Sequence, residues 1–286
     1  MKKLVRIIWR NSDSFSLKGI KSNLGDVLRI SLAANDSRYQ YLFCMDEQSI
    51  NLYKLIFSNL KIISFDDLKK IDFKMHHLFT MQDSIYSAEM IELINKYSSN
   101  NCHTQIKIPS PYEKEFINKE TWTENFAKHL GININEIKHT YAKPKTFKKN
   151  TNDNLIGINY IVPKHWESKR PSDRWIDNLK EDLLTLNYKI SIQPEPTNLK
   201  DYVEWINSCT ILITVEGLGL HIGLALRKKV ILLSGPVKRT EYLVDNLKCV
   251  SLKSSQKCKS CERGNFLSSD CQCMDLIDSN QVLRII

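Results

Sequence analysis

The sequence predicts an α/β protein made of two doubly wound halves, and three observations support this prediction. Strand-like and helix-like stretches alternate through most of the 286 residues, as they do when helices cover parallel sheets. A polar, basic segment without hydrophobic periodicity, residues 141–154, separates two such series. Residues 211–236 form an apolar strand, a glycine turn, an apolar helix and a second apolar strand, which is typical of a parallel sheet. We therefore expect two domains, residues 1–147 and 148–286.

The first half begins with an apolar strand at residues 4–9 and a polar loop, after which residues 23–30 open a helix. Further strands are expected at residues 39–44, 60–65 and 103–108, and helices at residues 46–57, 84–97 and 121–130. Gly131 closes the last helix, because glycine is favoured directly after a helix ends.

The second half repeats this alternation more regularly. Strands are expected at residues 155–160, 188–193, 210–215 and 230–234, and helices at residues 173–186, 199–207 and 218–227. Ligands of open parallel sheets lie beyond the carboxyl ends of the strands, and a cleft between two such domains is a natural binding site.

Composition indicates a folded chain, with 42% hydrophobic and 26% charged residues. The apolar runs are strand-sized, and Arg6 and Arg10 interrupt the apolar start, so we predict neither a membrane span nor a signal peptide. We expect a cytoplasmic protein.

The net charge of +9 lies mainly in the first half of the chain. A basic half suits an acidic partner, such as a phosphorylated glycan, an anionic membrane surface or nucleic acid. The alternative is that the charge belongs to lysines that are solvated on the surface.

The turn after the strand at residues 210–215 carries Glu216, Gly217, Gly219 and His221. Backbone N–H groups and the positive end of the following helix converge there, which favours an anion, and glycine lets a phosphate approach the backbone. An ordinary turn, with Glu216 capping the helix and His221 bonded locally, stays an alternative.

A basic loop, residues 163–175, follows the first strand of the second half and contains Ser168 and Lys169. A hydroxyl and an ammonium group at this edge of the sheet could bind a phosphate. The alternative is a solvated loop whose tryptophans, Trp166 and Trp175, anchor it to the core.

Gly25 and Asp26 stand at the mouth of the first half, where a helix starts. A carboxylate in this position is commonly a helix cap. The functional interpretation is a general base that faces the second domain.

The tail contains Cys258, Cys261, Cys271 and Cys273 within sixteen positions. Four thiolates at this spacing could hold a structural zinc or iron ion, and thiols in an ordered loop are the alternative. We expect no disulfides in a cytosolic protein.

In this order, the motifs resemble glycosyltransferase family 9, the ADP-heptose:lipopolysaccharide heptosyltransferases, from about Asn23 onward. The matching segments are Leu24-Gly25-Asp26-Val27, Ser168-Lys169-Arg170-Pro171, the turn Glu216-Gly217-Leu218-Gly219-Leu220-His221, Ala225-Leu226 and Ser234-Gly235-Pro236. In this chain Glu216 replaces the usual aspartate, Leu218 stands where the family has glycine, and about fifteen extra residues precede Gly25.

The resemblance implies a GT-B fold, two Rossmann-like domains facing across a cleft, and an inverting transferase of lipopolysaccharide biosynthesis. The second domain would bind a nucleotide diphosphate sugar such as ADP-heptose, and the first an anionic glycan or glycolipid acceptor, with peripheral contact to the inner membrane surface. Asp26 would be the general base, with Asn23 and Gly25 on the acceptor side. The donor would be bound by residues of three loops: Ser168, Lys169, Gln193, Glu216, Gly217, Leu218, Gly219, Leu220 and His221. No cofactor is expected for catalysis, because Lys169, Ser168 and backbone N–H groups would replace a metal.

Three other classes compete with this interpretation. Gly217, Gly219 and Gly223 approximate the fingerprint of an NAD(P)-dependent Rossmann oxidoreductase, but the turn lies late in its domain and no acid follows the next strand. A catalytically silent relative is compatible with Glu216 and Leu218. A nucleic-acid partner is not expected, because the lysines are scattered and do not interleave with aromatic residues.

Overall fold

Two five-stranded parallel sheets organise the described part of the chain, one in each of two units. The structure is a computed structural model, and it describes residues 5–10, 16–17, 20–21, 24–31, 40–72, 76–81, 88–106, 122–133, 141–147, 154–162, 164–195, 198–235, 249–255 and 273–286. The first unit extends to Lys145, and the second contains Thr146 to Ile286. The predicted α/β class with parallel sheets is confirmed.

In chain order, the elements of the first unit are β1 (Val5–Arg10), β2 (Ser16–Leu17), β3 (Ile20–Lys21), α1 (Leu24–Arg29), β4 (Gln40–Met45), α2 (Glu47–Ile56), β5 (Ile62–Ile63), α3 (Phe65–Lys69), β6 (His76–Met81), α4 (Ala88–Ser98), β7 (His103–Ile106) and α5 (Trp122–His129). The sheet order is β5-β4-β1-β6-β7. Because the order reverses between β1 and β6, the carboxyl end of β1 is the expected ligand crevice of this sheet, and α1 is the first helix after it.

Local chemistry explains where several of these elements begin and end. Helix α2 starts at Asp46, whose carboxylate accepts hydrogen bonds from the backbone N–H groups of Gln48 and Ser49. Ser64 and Asp67 form a capping box at the start of α3. Gly131, with a φ of 64°, lies two residues after the end of α5 and follows Leu130, the predicted last residue of this helix.

The first unit also differs from the predicted elements. Strand β6 is not among them, although it lies beside β1 at the centre of the sheet, because His76 and His77 break the apolar pattern at its start. The predicted strand at residues 60–65 shortens to β5, since Ser64 already caps α3. The polar loop before Gly25 contains an antiparallel hairpin, β2 and β3.

The start of the predicted linker packs on the first unit. Tyr141 and Ala142 are buried, Pro144 pairs with Phe57 in an isolated β-bridge, and the N–H of Lys145 donates to the carbonyl of Ile56 at 2.7 Å. These residues of the predicted linker therefore pack on the first unit.

The second unit has the elements β8 (Leu155–Asn159), a 3₁₀ helix (Lys164–Lys169), α6 (Asp173–Thr185), β9 (Lys189–Ile192), α7 (Leu199–Ser208), β10 (Ile211–Val215), α8 (Leu218–Ala225), β11 (Lys229–Ser234), β12 (Cys249–Lys253), a second 3₁₀ helix (Cys273–Leu276) and α9 (Ser279–Ile285). Its sheet order is β12-β11-β10-β8-β9. The strands and helices predicted here are found within two residues of their expected bounds, and β12 is an additional strand.

The two faces of the second sheet carry different layers. On one face, alternate residues such as Ile156, Ile158 and Ile213 pack with α6 and with the segment that contains Met274, Ile277 and Val282. On the other face, α8 packs on β10 and β11. Among the helices that the structure describes, none combines the length and the apolar character needed to cross a bilayer.

Candidate functional site

The residues predicted to bind the donor all follow strands of the second sheet. Ser168 and Lys169 follow β8, Gln193 follows β9, and the turn from Glu216 to His221 follows β10. Strands β9, β8 and β10 are parallel neighbours, so these residues lie at one edge of the sheet. The order of the strands reverses between β8 and β10, which makes this edge the expected ligand crevice of the second unit.

Gly217 forms the N-cap of α8 in a conformation that other residues rarely adopt. Its φ is 148° and its ψ is −163°, a region that is essentially restricted to glycine. Glycine has no side chain to accept hydrogen bonds from the first-turn N–H groups of α8, and a Cβ atom at this position would meet no described residue within 4 Å. No part of the chain that the structure describes fills the space beside the turn, and an anion could approach the helix N-terminus there.

A buried polar network lies directly under the first turn of α8. The hydroxyl of Tyr202 donates to Oδ1 of Asn159 at 2.6 Å, and Nδ2 of Asn159 donates to Oγ1 of Thr214 at 2.7 Å. A Cβ atom at Gly219 would overlap Nδ2 of Asn159 and come within 2.6 Å of the Tyr202 hydroxyl. The sequence therefore has glycine at residue 219 because the helix touches this network.

Tyr202 is held as a neutral hydrogen-bond donor. Burial raises the pKa of its phenol well above the usual value, and the hydrogen bond to Asn159 opposes this only in part. Its ring stacks on Trp205, with centroids 6.0 Å apart and planes 9° from parallel. The indole of Trp205 in turn donates to the hydroxyl of Ser191 at 2.9 Å. The network is thus anchored in α7 and fixes α7 to the ends of β8 and β10.

Ser234, the last residue of β11, adds a further polar side chain at this edge. It lies on the same face as Thr214, because Thr214 pairs with Leu232, two residues earlier on β11. Its hydroxyl is buried and has no hydrogen-bond partner among the described residues.

The arginine of the basic loop after β8 contacts neighbouring residues of the same chain segment. The Arg170 guanidinium pairs with Asp173, donates to the carbonyl of Pro171 at 3.2 Å and lies 5.0 Å from the centroid of the Tyr160 ring. Burial is the main reason that the pKa of Tyr160 is raised, with Asp173 adding to it. Of the neighbouring residues, Ser168 is buried and Lys169 is half-buried.

Two predicted donor residues have surroundings that the sequence did not indicate. Oε1 of Gln193 accepts a hydrogen bond from the N–H of Ile161 at 2.9 Å, so its carboxamide braces the loop that leaves β8. His221 is only 5% exposed and lies within α8, beyond its first turn. The His221 side chain is therefore buried, whereas Gln193 is partly exposed.

Only some of the residues predicted to bind the acceptor or a metal lie among the residues that the structure describes. Gly25 and Asp26 lie in the first turn of α1, and Asn23 lies outside the described residues. Cys258, Cys261 and Cys271 also lie outside them, whereas Cys273 is buried in the core of the second unit. The described residues contain no group of three or more His, Cys, Asp or Glu side chains that could hold a metal ion.

Comparison with known proteins gives matches in structure only. No protein-family model matches the chain, and no curated protein sequence matches it significantly. A family 9 glycosyltransferase from Veillonella parvula superimposes with a TM-score of 0.64 at 12% identity, covering 98% of this chain and 95% of that one. The fold of the chain is similar to that of the family 9 glycosyltransferases. The predicted resemblance is confirmed at the level of the fold.

Two further solved structures agree. TibC from enterotoxigenic E. coli, described as an iron-containing dodecameric glycosyltransferase, has a TM-score of 0.60 at 12% identity, covering 99% of this chain and 75% of that one. TibC has also been solved in complex with ADP-D-beta-D-heptose. The E. coli ADP-heptose lps heptosyltransferase II has a TM-score of 0.58 at 10% identity, covering 98% of each chain.

The buried network of Asn159, Tyr202 and Thr214 was not predicted, and neither was Ser234. One sequence feature could have identified Asn159, because it is a polar residue at the end of an otherwise apolar strand. Its partners could not be identified in this way, since they lie 43 and 55 residues away in the chain.

Proposed function

We propose that the protein is a glycosyltransferase that moves a sugar from a nucleotide diphosphate sugar to a hydroxyl group of a glycan or glycolipid. One observation carries this proposal: the glycine-capped N-terminus of α8 and the Ser168–Lys169 loop lie at the same edge of the second sheet, in a chain with the family 9 fold. Backbone N–H groups beside an ammonium group suit a diphosphate better than a neutral ligand.

The residues at this edge of the sheet must stabilise the negative charge of the departing diphosphate. Cleavage of the bond between the sugar and the phosphate places negative charge on the leaving group, and donors aimed at that charge lower the barrier. We assign this role to the N–H groups of the residues from Gly217 to Leu220, to Lys169 and to Ser168. The backbone N–H groups of this turn are fixed by α8 before any ligand binds, so little reorganisation of them is needed during the reaction.

The acceptor hydroxyl must lose a proton as it attacks the sugar. We assign Asp26 as the general base, with Asn23 and Gly25 beside the acceptor, and we propose that the anomeric centre is inverted. Asp26 lies in the first turn of α1, the first helix after the central strand β1 of the first sheet. The acceptor is proposed to be anionic, such as a lipopolysaccharide intermediate at the inner membrane surface, and the basic first half of the chain suits it.

The remaining donor residues are assigned to the sugar and the turn. A Glu216 carboxylate directed at the diphosphate would be repelled, so we propose that it binds sugar hydroxyls together with His221 and Gln193. Leu218 takes part through its backbone N–H. Heptose carried on ADP is the proposed donor, because the matching structures include an ADP-heptose lps heptosyltransferase and a heptosyltransferase in complex with ADP-D-beta-D-heptose.

A metal has no assigned step in this reaction. We propose that Cys258, Cys261, Cys271 and Cys273 hold a structural zinc or iron ion, a donor set of thiolates that both metals accept. Elemental analysis of the purified protein tests this. About one zinc or iron ion per chain, lost on replacing Cys258 and Cys261 with serine, supports the site, and a metal-free folded protein contradicts it.

The sheet topology argues against the oxidoreductase alternative. The glycine turn follows β10, the third strand of its unit in chain order, whereas the dinucleotide fingerprint follows the first strand.

The experiment that tests the proposed function has two stages. A thermal-shift screen against nucleoside diphosphates and their sugars identifies the donor, since a bound ligand stabilises the folded state. Transfer from that donor to lipopolysaccharide precursors is then measured for wild type and for Asp26→Asn. We expect Asp26→Asn to bind the nucleotide normally and to lose transfer by at least about a hundredfold. Unchanged turnover in Asp26→Asn would remove this residue from the mechanism.

A further inference from the structure

The short segment from Cys273 to Ile277 is tied to the start of α6 by two hydrogen bonds. Oδ1 of Asp275 accepts from the backbone N–H of Ser172 at 2.6 Å, and the carbonyl of Ile277 accepts from Nε1 of Trp175 at 2.9 Å. Cys273 and Met274 are buried in the same core that contains Trp175. The chain separation between Asp275 and Ser172 is 103 residues, so neither contact follows from local sequence.

Ser172 is the point at which the basic loop ends and α6 begins. Its hydroxyl caps the helix by accepting from the N–H of Trp175 at 3.2 Å, and its own N–H is the group that Asp275 binds. A carboxylate beside a helix N-terminus is stabilised by the helix dipole, and a hydrogen bond to a charged acceptor is stronger than one between neutral groups. Asp275 thus fixes the backbone only three residues after Lys169.

The residues between Lys169 and Ser172 are restrained by contacts of their own. The hydrogen bond between Ser172 and Asp275 therefore also affects the position of Lys169. The N–H of Arg170 donates to the carbonyl of Glu167 at 3.1 Å, and the Arg170 guanidinium binds Pro171 and Asp173. Between Arg170 and Ser172 there is only Pro171, which is buried and has a fixed φ. A displacement at Ser172 would therefore be transmitted to Lys169 rather than absorbed by a flexible linker.

The same segment reaches a second strand end of the candidate site. The sulfur of Met274 lies 3.6 Å from the position of a Cβ atom on Gly235, the residue that follows β11. The segment from Cys273 to Ile277 therefore contacts both the loop after β8 and the chain after β11.

We infer that Asp275 is a positioning residue for the donor diphosphate, acting through Ser172 on Lys169. This inference rests on the proposed function, in which Lys169 binds that diphosphate. Asp275 has no assigned contact with the ligand; it sets the position of the loop that does. Its loss weakens ADP binding by roughly tenfold, the size expected when one charge-assisted hydrogen bond is removed.

The test compares ADP binding by isothermal titration calorimetry in matched variants. Asp275→Ala binds ADP roughly tenfold more weakly than wild type, and Asp275→Asn restores most of the affinity because its amide oxygen can still accept from Ser172. In the Lys169→Ala background, adding Asp275→Ala has no further effect, because the group on which it acts is gone. The control is Asp278→Ala, which removes the carboxylate that caps α9 in the same region and leaves ADP binding unchanged.

Hydrogen exchange tests the role of Asp275 independently of nucleotide binding, and so independently of the proposed function. Hydrogen exchange of residues 168–172, measured without nucleotide, is faster in Asp275→Ala than in wild type and in Asp278→Ala. Wild-type protein that binds no nucleoside diphosphate overturns the proposed function, and the exchange rates still decide whether Asp275 holds the loop. Any of three results overturns the inference about Asp275. These are equal ADP affinity of wild type and Asp275→Ala, fully additive effects of Asp275→Ala and Lys169→Ala on ADP affinity, and an unchanged rate of hydrogen exchange in residues 168–172 of Asp275→Ala.

Discussion

Gly219 lies directly against Asn159, so that a Cβ atom at residue 219 would overlap the side-chain nitrogen of Asn159. This contact couples the first turn of α8, where we propose that the diphosphate binds, to a buried network that spans three elements of the second unit. The network carries no charge, yet it decides how closely α8 approaches the ends of β8 and β10.

Gly219→Ala is expected to lower the free energy of unfolding by about 1 to 3 kcal/mol, because the added methyl group overpacks the site and displaces Asn159 or Tyr202. Chemical denaturation followed by fluorescence measures this. Gly235→Ala is the matched control, since among the described residues its Cβ would meet only the Met274 sulfur, at 3.6 Å. Equal stability of the two variants would show that α8 does not rest on Asn159.

Tyr202→Phe is expected to cost about 1 to 3 kcal/mol of unfolding free energy, because Oδ1 of Asn159 is left buried without the donor it has now. The loss should shrink when Asn159 is replaced by leucine in the same chain, since no unsatisfied acceptor remains. A double-mutant cycle by urea denaturation measures this coupling. Strictly additive effects would mean that the two side chains do not interact.

The first unit should lose stability as the pH falls below about 6.5 because of His103. Burial lowers the pKa of its imidazole, whose two nitrogens lie 2.9 Å from the Thr80 hydroxyl and 3.1 Å from the Ser98 hydroxyl. The unfolded chain then takes up a proton at a higher pH than the folded chain, so acidification favours unfolding, and this contribution vanishes above the ordinary histidine pKa. His103→Gln should therefore flatten the dependence of the unfolding midpoint on pH between about 5 and 7. A slope equal to that of wild type would assign the effect to other groups.

The sequence predicted the second unit almost element by element, because its strands are continuous apolar runs separated by clear helix starts. Strand β10, for example, is buried at every position, and Ser172 and Asn198 cap the helices that follow β8 and β9. The first unit was harder, since β6 begins with two histidines and the loop before Gly25 conceals a hairpin.

The candidate site was predicted in part for a similar reason. The turn from Glu216 to His221 stands directly after β10, and Ser168 and Lys169 lie in the segment between β8 and α6, so the topology of a parallel sheet brings them to one edge. Contacts between distant residues have no such pattern. Asn159 with Tyr202, and Asp275 with Ser172, became visible only when the folded chain placed them together.

Calorimetric titration with ADP of wild type, Lys169→Ala and Lys180→Ala tests the central claim most directly. Lys180 is a suitable control because it lies on α6 and its ammonium group binds Asp177 at 2.9 Å. The account predicts saturable binding by wild type and by Lys180→Ala, and binding weakened by roughly tenfold or more in Lys169→Ala. Wild-type protein that binds no nucleoside diphosphate, or equal affinities in Lys169→Ala and Lys180→Ala, would contradict it.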